Sequence, residues 1–420
     1  MTEFYDALEH REPALREAAL MAALPKQVAV ALRTPAFAER FAGVDAAAIT
    51  SRNALAALPV TRKHELLARQ QAERAHDPFG GFSAIGWRAL HGGQGAQRVF
   101  QSPGPIYEPE GRARDYWRMA RALWAAGFRA GDLMHNSFSY HLTPAGSMLE
   151  SGAHAIGCTV FPGGVGNTEL QLQAMVGFKP DGYAGTPSFL RIALEKAAET
   201  GIALPSLKKA MVGGEAFPAA LRDWMRARGL EAYQSYATAD VGLIAYETAA
   251  REGLVLDEGV IVEIVRPGTG DPLPAGEVGE VVVTVLNPDY PLVRFGTGDL
   301  SALLPGPCPT GRTNARIKGW MGRADQTAKV RGMFVHPGQV AEVLKRFPEA
   351  GKARLVISGE MANDQMTLRV ETASPAEASW VQRMAEAIRD VTKLRGDVQL
   401  CAPGSLPNDG KVIDDTRQVG

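Results

Sequence analysis

The chain has 420 residues, 45% of them hydrophobic, and its 45 Lys and Arg nearly cancel 46 Asp and Glu. That length buries a large core and suggests two or three domains, while the charge balance leaves no basic field for nucleic acid and no acidic tail. There is no apolar run long enough to cross a bilayer, no apolar core of a secretory signal in the N-terminal stretch, and only Cys158, Cys308 and Cys401, widely spaced, which excludes a disulfide framework or a one-chain four-cysteine zinc site. A cytoplasmic protein acting on a small molecule, away from the membrane, is the expectation.

In chain order, residues 1–80 read as a helical lead-in: PALREAALMAAL, then Thr61 and Arg62 before HELLARQQAER, with Pro25, Pro35 and Pro59 as breaks. RARDYWRMARALWAAGF predicts an amphipathic helix ended by Gly127. GCTVFPGG followed by TELQLQAMVGF, DGYAGTP by SFLRIALEKAAETG, and KKAMVGGE by FPAALRDWMRARG then repeat a strand, turn, helix order. That order builds an α/β fold around a mostly parallel sheet. Residues 254–304 are β-branched, alternating and broken by Gly-Pro turns, and predict a β subdomain of antiparallel hairpins or a small barrel. The remainder reads helix, strand, strand, helix, strand. We place a large domain at 1–324 and a small mobile α+β domain at 325–420, with the boundary near Asp325.

Ligands of open α/β sheets bind beyond the carboxyl ends of the strands, so the turns there are the places to search. Gly213-Gly214-Glu215-Ala216-Phe217 follows the strand KKAMV; its glycines let backbone approach a flat ligand, which Phe217 could cover, although a plain glycine turn before a helix reads the same way. Tyr236-Ala237-Thr238-Ala239-Asp240, expected after a strand EAYQS, offers a ring, a hydroxyl and a carboxylate that could hold Mg²⁺, or a buried Tyr with a helix-capping Asp. Phe295-Gly296-Thr297-Gly298-Asp299-Leu300, expected after a strand YPLVR, carries a carboxylate whose two oxygens suit a ribose diol, or is a turn. Gly322-Arg323-Ala324-Asp325 and Lys329-Val330-Arg331-Gly332 supply guanidinium groups suited to phosphate, or a charged linker. Lys411 follows Pro407-Asn408-Asp409-Gly410 on an extended tail that could carry a cation to a distant site, or leave it solvated.

The order of these segments resembles the adenylate-forming (AMP-binding, acyl-CoA synthetase-like) superfamily, with the phenylacetate-CoA ligase family closest, over about residues 115–415. The resemblance rests on VFPGGVGNTELQLQAM, KPDGYAGTPSFLRIALEKA, VGGEAF, YATAD, RFGTGDL, GRADQTAKVRGMFVHP and NDGKVID. It implies an acid:CoA ligase that uses ATP and Mg²⁺ to turn an aryl or arylacetic acid into an acyl-adenylate and then transfers it to coenzyme A. Glu215 with Gly213 and Gly214 would line the adenine pocket, and Tyr236 would flank the base. Thr238 and Asp240 would sit at the α-phosphate and metal, Asp299 at the ribose, Arg323 at ribose or phosphate. Asp325 would be the hinge, Lys411 would bridge carboxylate and α-phosphate, and Gly332 would line the pantetheine route. By position the acid pocket would include Tyr140, His141 and Ala145, or His141 would simply be packed. The resemblance also suggests a homodimer, and with only Cys308 near the ribose segment no zinc is expected.

One stretch departs from the family. Where its members carry a Ser/Thr/Gly loop ending in lysine, this chain has Arg98-Val99-Phe100-Gln101-Ser102-Pro103-Gly104-Pro105-Ile106-Tyr107-Glu108, poor in hydroxyls and in N–H donors. Three readings stay open: His91-Gly92-Gly93-Gln94-Gly95 cradles the phosphates instead, activation is slow, or the protein handles preformed acyl-AMP or acyl-CoA. A non-catalytic nucleotide- or acyl-CoA-binding homologue is the alternative function.

Overall fold

The computed structural model describes residues 4–86, 95–326, 328–330, 333–359, 364–373, 378–407 and 411–417. The chain divides into two compact units, Met1–Thr297 with Ala302–Trp320, and Gly298–Ser301 with Met321–Gly420.

The first strands, in chain order, are Thr61–Arg62 (β1), Arg98–Ser102 (β2), Ile106–Glu110 (β3), Leu133–Asn136 (β4), Thr159–Pro162 (β5), Gly182–Gly185 (β6), Lys209–Val212 (β7), Glu231–Thr238 (β8), Gly242–Glu247 (β9), Leu254–Leu256 (β10), Val260–Val265 (β11), Gly279–Val285 (β12), Phe295–Ser301 (β13, of which Gly298–Ser301 counts with the second unit), Leu303–Leu304 (β14) and Arg316–Ile317 (β15). Nine of them form one sheet in the order β14-β15-β10-β9-β8-β7-β6-β4-β5. Its β5-β4-β6-β7-β8 half is parallel, and from β8 to β15 every pairing is antiparallel. The parallel half arises because each short strand is followed by a helix: Ala145–Ile156, Thr168–Phe178, Pro187–Glu199 and Ala219–Arg226. Helix starts are written in the sequence; at Pro187 the fixed φ suits the first turn, and Thr186 Oγ1 accepts the Phe189 N–H.

A second sheet, β1-β13-β12-β11, packs with the N-terminal helices Pro13–Ala31, Pro35–Arg40 and Arg52–Ala56 into one apolar core containing Leu24, Phe37, Leu55, Ile264, Val283 and Phe295. The stretch 254–304 is thus shared, with β10 and β14 in the large sheet and β11–β13 in the second. Arg294 is 2% exposed yet satisfied: Nε donates to Glu263 Oε2 at 3.0 Å, and the other nitrogens to the carbonyls of Ala56, Leu58 and Gly270.

Three local expectations are corrected. The helix expected over RARDYWRMARALWAAGF covers only Ala120–Ala125, because Asp115 and Arg118 take left-handed backbone and the Asp115 carboxylate accepts the N–H groups of Met119 and Ala120. β8 runs through Tyr236 to Thr238, past a bulge at Tyr236/Ala237, where a turn was expected. Phe295–Ser301 is itself a strand, whereas YPLVR before it is irregular and Arg294 is left-handed.

In the second unit, Ala353–Ser358 (β18), Gln365–Glu371 (β19), Asp397–Cys401 (β20) and Ile413–Asp415 (β21) form a sheet ordered β20-β19-β18-β21; Ala328–Val330 (β16) and Met333–Val335 (β17) form a hairpin before them. Alternation in QMTLRVE turns Met366, Leu368 and Val370 to one face. They meet Val340 of helix Pro337–Lys345 and Trp380, Met384 and Ile388 of helix Ala378–Thr392, giving this unit its own core. Among the described residues no helix is long and apolar enough to cross a membrane.

Candidate functional site

The carboxyl ends of β4, β7 and β8 open on one cleft of about 170 Å³ in the first unit, lined by Phe138, Gly213, Gly214, Ser235 and Ala237–Ala239. The start of helix Ala145–Ile156 supplies Ala145, Met148 and Leu149, and Ser102 and Pro103 close it from the tip of the β2–β3 hairpin. The lining is apolar apart from hydroxyls and backbone, which suits the non-polar body of a small ligand. Gly214 has φ +79°, a region costly for a residue with a Cβ. A Cβ on Gly213 would stand 3.2 Å from the Ser235 carbonyl oxygen.

The expected cover, Phe217, is not at the cleft; it is buried in the core with Leu190 and Met225, and the Arg222 guanidinium lies 5.1 Å from its ring centre. Glu215 is exposed, and its Oε1 accepts the Ser188 N–H at 2.6 Å, next to the helix that starts at Pro187. Tyr236 is half-buried and its OH donates to Thr297 Oγ1 at 3.1 Å. Thr238 Oγ1 accepts the Val241 N–H at 3.3 Å, which holds the turn that carries Asp240. Ala145, Gly213, Gly214 and Thr238 therefore meet at one cleft, whereas Tyr140 and His141 are not among its lining residues. Tyr140 accepts from Asn136 Nδ2 at 2.8 Å, and burial pushes its hydroxyl pKa up; His141 is exposed.

The segment Arg98 to Glu108, read as standing where relatives carry a phosphate loop, is a hairpin with a Pro103-Gly104-Pro105 turn. Val99, Phe100, Ile106 and Tyr107 favour extended backbone. Two clamps fix it. Gln70 donates to the Tyr107 carbonyl and accepts the Tyr107 N–H, both at 2.8 Å. Glu110 accepts from Ser147 Oγ at 2.7 Å, Trp117 Nε1 at 3.1 Å and Arg98 Nη1 at 3.2 Å. The other cradle candidate, His91-Gly92-Gly93-Gln94-Gly95, lies outside the described residues up to Gln94.

The hairpin also delivers an acid, Glu108, to which the sequence alone assigned no role. Glu108 is fully buried and accepts from Ser102 Oγ. Burial, and then the nearby Asp240 carboxylate, push it from its usual 4.5 up to about 8. Asp240 is 3% exposed; its Oδ2 receives Lys63 Nζ at 3.1 Å. Sequence gave one clue, an acid inside a β-branched and aromatic strand.

In the second unit Asp299 and Arg323 are paired across a β-bridge, with Nη1 3.2 Å from Oδ1. Gly298, at φ +74°, leaves room for that guanidinium, since a Cβ there would be 2.6 Å from Nη2. Asp325 sits in the 3₁₀ turn Ala324–Gln326, and Gln326 Oε1 accepts the Val412 N–H at 2.8 Å, tying the tail beside this turn. Lys411 is exposed and 3.2 Å from Asp414 Oδ1. Gly332 lies outside the described residues. Cys308 is buried beside Thr248 and Thr310.

Residues 116–285 match the family model described as AMP-binding enzyme, and residues 332–416 match that of the AMP-binding enzyme C-terminal domain. The chain is 31% identical over 401 residues to a phenylacetate-coenzyme A ligase of Thermus thermophilus, covering 87% of each. It is 33% identical over 350 residues to the phenylacetate-coenzyme A ligase of Aromatoleum evansii, covering 80% of this chain and 76% of that one. Among solved structures it resembles an open conformation of 2-hydroxyisobutyryl-CoA ligase with 2-HIB-AMP and CoA, at 24% identity and a TM-score of 0.86 over 99% of this chain and 95% of that one. It also resembles the postadenylation state of that ligase with 2-HIB-AMP, at 25% identity and a TM-score of 0.76 over 99% and 93%.

Proposed function

The chain belongs to the phenylacetate-CoA ligase family of AMP-binding enzymes, and from that premise we propose that the acid it activates is a compact aryl or arylacetic acid. As an AMP-forming carboxylic acid:CoA ligase it spends ATP on an acyl-adenylate and passes the acyl group to the CoA thiol. A carboxylate is a poor acyl donor, whereas AMP leaves readily, so the activation step makes the later attack by a thiol feasible.

The cleft of about 170 Å³, walled by Met119, Phe138, Met148 and Leu149, carries the substrate proposal. It is smaller than the roughly 300–1,000 Å³ of common ligand sites and suits one ring with a short side chain. Its place at the ends of β4, β7 and β8 supports nucleotide binding beside it: adenine against Gly213, Gly214 and Glu215 with Tyr236 at its flank, and the α-phosphate near Thr238. In the same proposal Asp299 and Arg323 hold the ribose, Asp325 is the hinge and Lys411 bridges carboxylate and α-phosphate.

Asp240 Oδ1 is buried without a hydrogen-bond partner, which fits a hard cation, and Asp240 is the residue that would hold Mg²⁺. Bound there, the ion would offset charge developing on phosphate oxygens. The Pro103-Gly104-Pro105 turn offers few N–H donors to a triphosphate. That favours a variation in which thioester formation from supplied acyl-adenylate outpaces the first half-reaction.

Incubation with Mg-ATP, CoA and a panel of aryl, arylacetic and short aliphatic acids, reading pyrophosphate and AMP, tests this. Release that requires one aryl or arylacetic acid and CoA is the expected result. Release with aliphatic acids alone overturns the substrate class. Silence across the panel, with AMP or acyl-CoA still bound, favours a non-catalytic role.

A further inference from the structure

Three walls of the cleft come from the segment after β4 with Phe138, the start of helix Ala145–Ile156 and the tip of the β2–β3 hairpin. Behind the first two stands one buried amide. Asn136, the last residue of β4, is 0% exposed; its Oδ1 accepts the Phe138 N–H at 3.2 Å, and its Nδ2 donates to the Tyr140 hydroxyl at 2.8 Å and to the Gly146 carbonyl at 2.9 Å. A backbone N–H only donates and a carbonyl only accepts, so these partners fix which way the amide faces. The Gly146 N–H in turn donates to the Ser139 carbonyl at 2.8 Å. A Cβ on Gly146 would stand 2.7 Å from that oxygen and 2.8 Å from the Tyr140 ring, so segment and helix start fit with no space to spare. The third wall is tied to the same segment, because the Gln101 N–H, one residue before Ser102, donates to the Leu142 carbonyl at 2.8 Å.

Phe138, Tyr140 and Leu142 lie in irregular backbone, which has no ladder of its own and takes its position from bonds such as these. We propose that Asn136 is a positioning residue for the acid, holding Phe138 and the start of the helix at the spacing the cleft needs, with the Tyr140 hydroxyl as its partner. Neither residue lines the cleft, so both act through Phe138, Ala145 and Met148. Burial, and then the Glu150 carboxylate on the same helix, push the Tyr140 hydroxyl pKa up, which keeps that partner neutral. Small displacements of groups that position a substrate are felt in the reaction although no reacting atom is touched. The proposal rests on the reading that this cleft holds the acid and adds to it what sets the cleft's width.

The probe is the acid that the full chain turns over fastest in the panel, with KM for that acid and KM for ATP both read from pyrophosphate release. Tyr140→Phe, which removes only the hydroxyl, should raise the acid's KM about fivefold, and Asn136→Asp, of the same shape but with two donors turned into acceptors, about tenfold or more. KM for ATP should stay within about twofold in both, since the acid's walls are what move. The double variant should be no worse than Asn136→Asp alone, because the hydroxyl has by then lost its donor. Thermal melts check folding; a partly unfolded preparation lowers kcat and leaves KM, which separates a positioning role from a merely structural one. If Asn136→Asp does not fold, Tyr140→Phe and Gly146→Ala decide, the latter pushing Ser139 and Tyr140 away and raising the acid's KM in the same manner. An unchanged acid KM in the folded variants, or acid and ATP values that rise alike, overturns the proposal. Met148→Ala tells that failure from failure of the underlying reading: a shifted acid KM there keeps the acid in the cleft without Asn136, and no shift in any variant removes the acid from the cleft. An aliphatic acid as the fastest overturns the aryl reading alone, because the comparison runs with that acid; turnover of no acid overturns both.

Discussion

A carboxyl group shut away from water beside another carboxylate keeps its proton, and Glu108 is in that position. Its folded pKa of about 8 lies above its ordinary 4.5, so between those values the folded chain binds a proton that the unfolded chain has released. Stability from this group is therefore present below about pH 4.5 and lost as pH rises toward about 8. Glu108→Gln should flatten that decline, so that in EDTA its melting temperature relative to wild type rises between pH 5 and pH 8; a constant offset would count against the burial account. Lys411 belongs to the same scale. Its exposure and its tail position fit a cation used in one step only. Lys411→Ala should lower acyl-adenylate formation by about a hundredfold or more while thioester formation from supplied acyl-AMP stays within a few-fold. Equal loss of both half-reactions would remove that role.

Among elements, the β2–β3 hairpin closes the cleft with Ser102 and Pro103, and it is held by side chains rather than by a neighbouring strand. Gln70 reads the Tyr107 peptide in both directions from helix Lys63–Glu73. Gln70→Ala strands that N–H and carbonyl in a half-buried setting, a cost of about 1–3 kcal/mol that urea unfolding would register. A change within error would mean that water replaces the amide at no cost. The apolar wall is the other element to test. Met148→Ala, one turn into helix Ala145–Ile156, enlarges the cleft and should move preference toward acids with larger or substituted rings, read as kcat/KM ratios. An unchanged ratio would place the acid elsewhere.

On the scale of the whole molecule, two units with separate cores suggest separate folding. Val340, Leu355, Ile357, Leu368, Trp380 and Met384 bury one another within residues 321–420. A fragment of that span should show a cooperative melt and far-UV dichroism typical of mixed α and β structure; a disordered fragment would mean the core is insufficient alone. The hinge proposal makes a different demand. Asp325 lies in a one-turn 3₁₀ segment, and proline there fixes φ and removes an N–H. Asp325→Pro should impair one half-reaction tenfold or more and spare the other. Uniform loss would point to misfolding, and no loss to a hinge elsewhere.

Much of this was legible in the residues alone. Strand, turn, helix repeats from GCTVFPGG onward announced the parallel half-sheet, because alternation and amphipathic spacing are local properties. The same holds for the helix and strand series of the second unit. The segments at 213–215, 236–240 and 299 were picked out as candidates by composition, since glycines and acids after apolar runs are unusual, and Gly213, Gly214 and Ala237–Ala239 do line the cleft. What tertiary structure decided is whatever depends on partners distant in sequence. Phe295–Ser301 became a strand despite two glycines because β1 pairs with its first residues in parallel. Phe217 went to the core because Leu190 and Met225 were there to receive it. The left-handed backbone at Asp115 and Arg118 cut short a helix that the periodicity favours. Glu108, in the sequence merely an acid within the stretch that departs from the family, is buried near Asp240 by the hairpin, for burial and electrostatic neighbours are set by long-range packing and not by the run of residues around them.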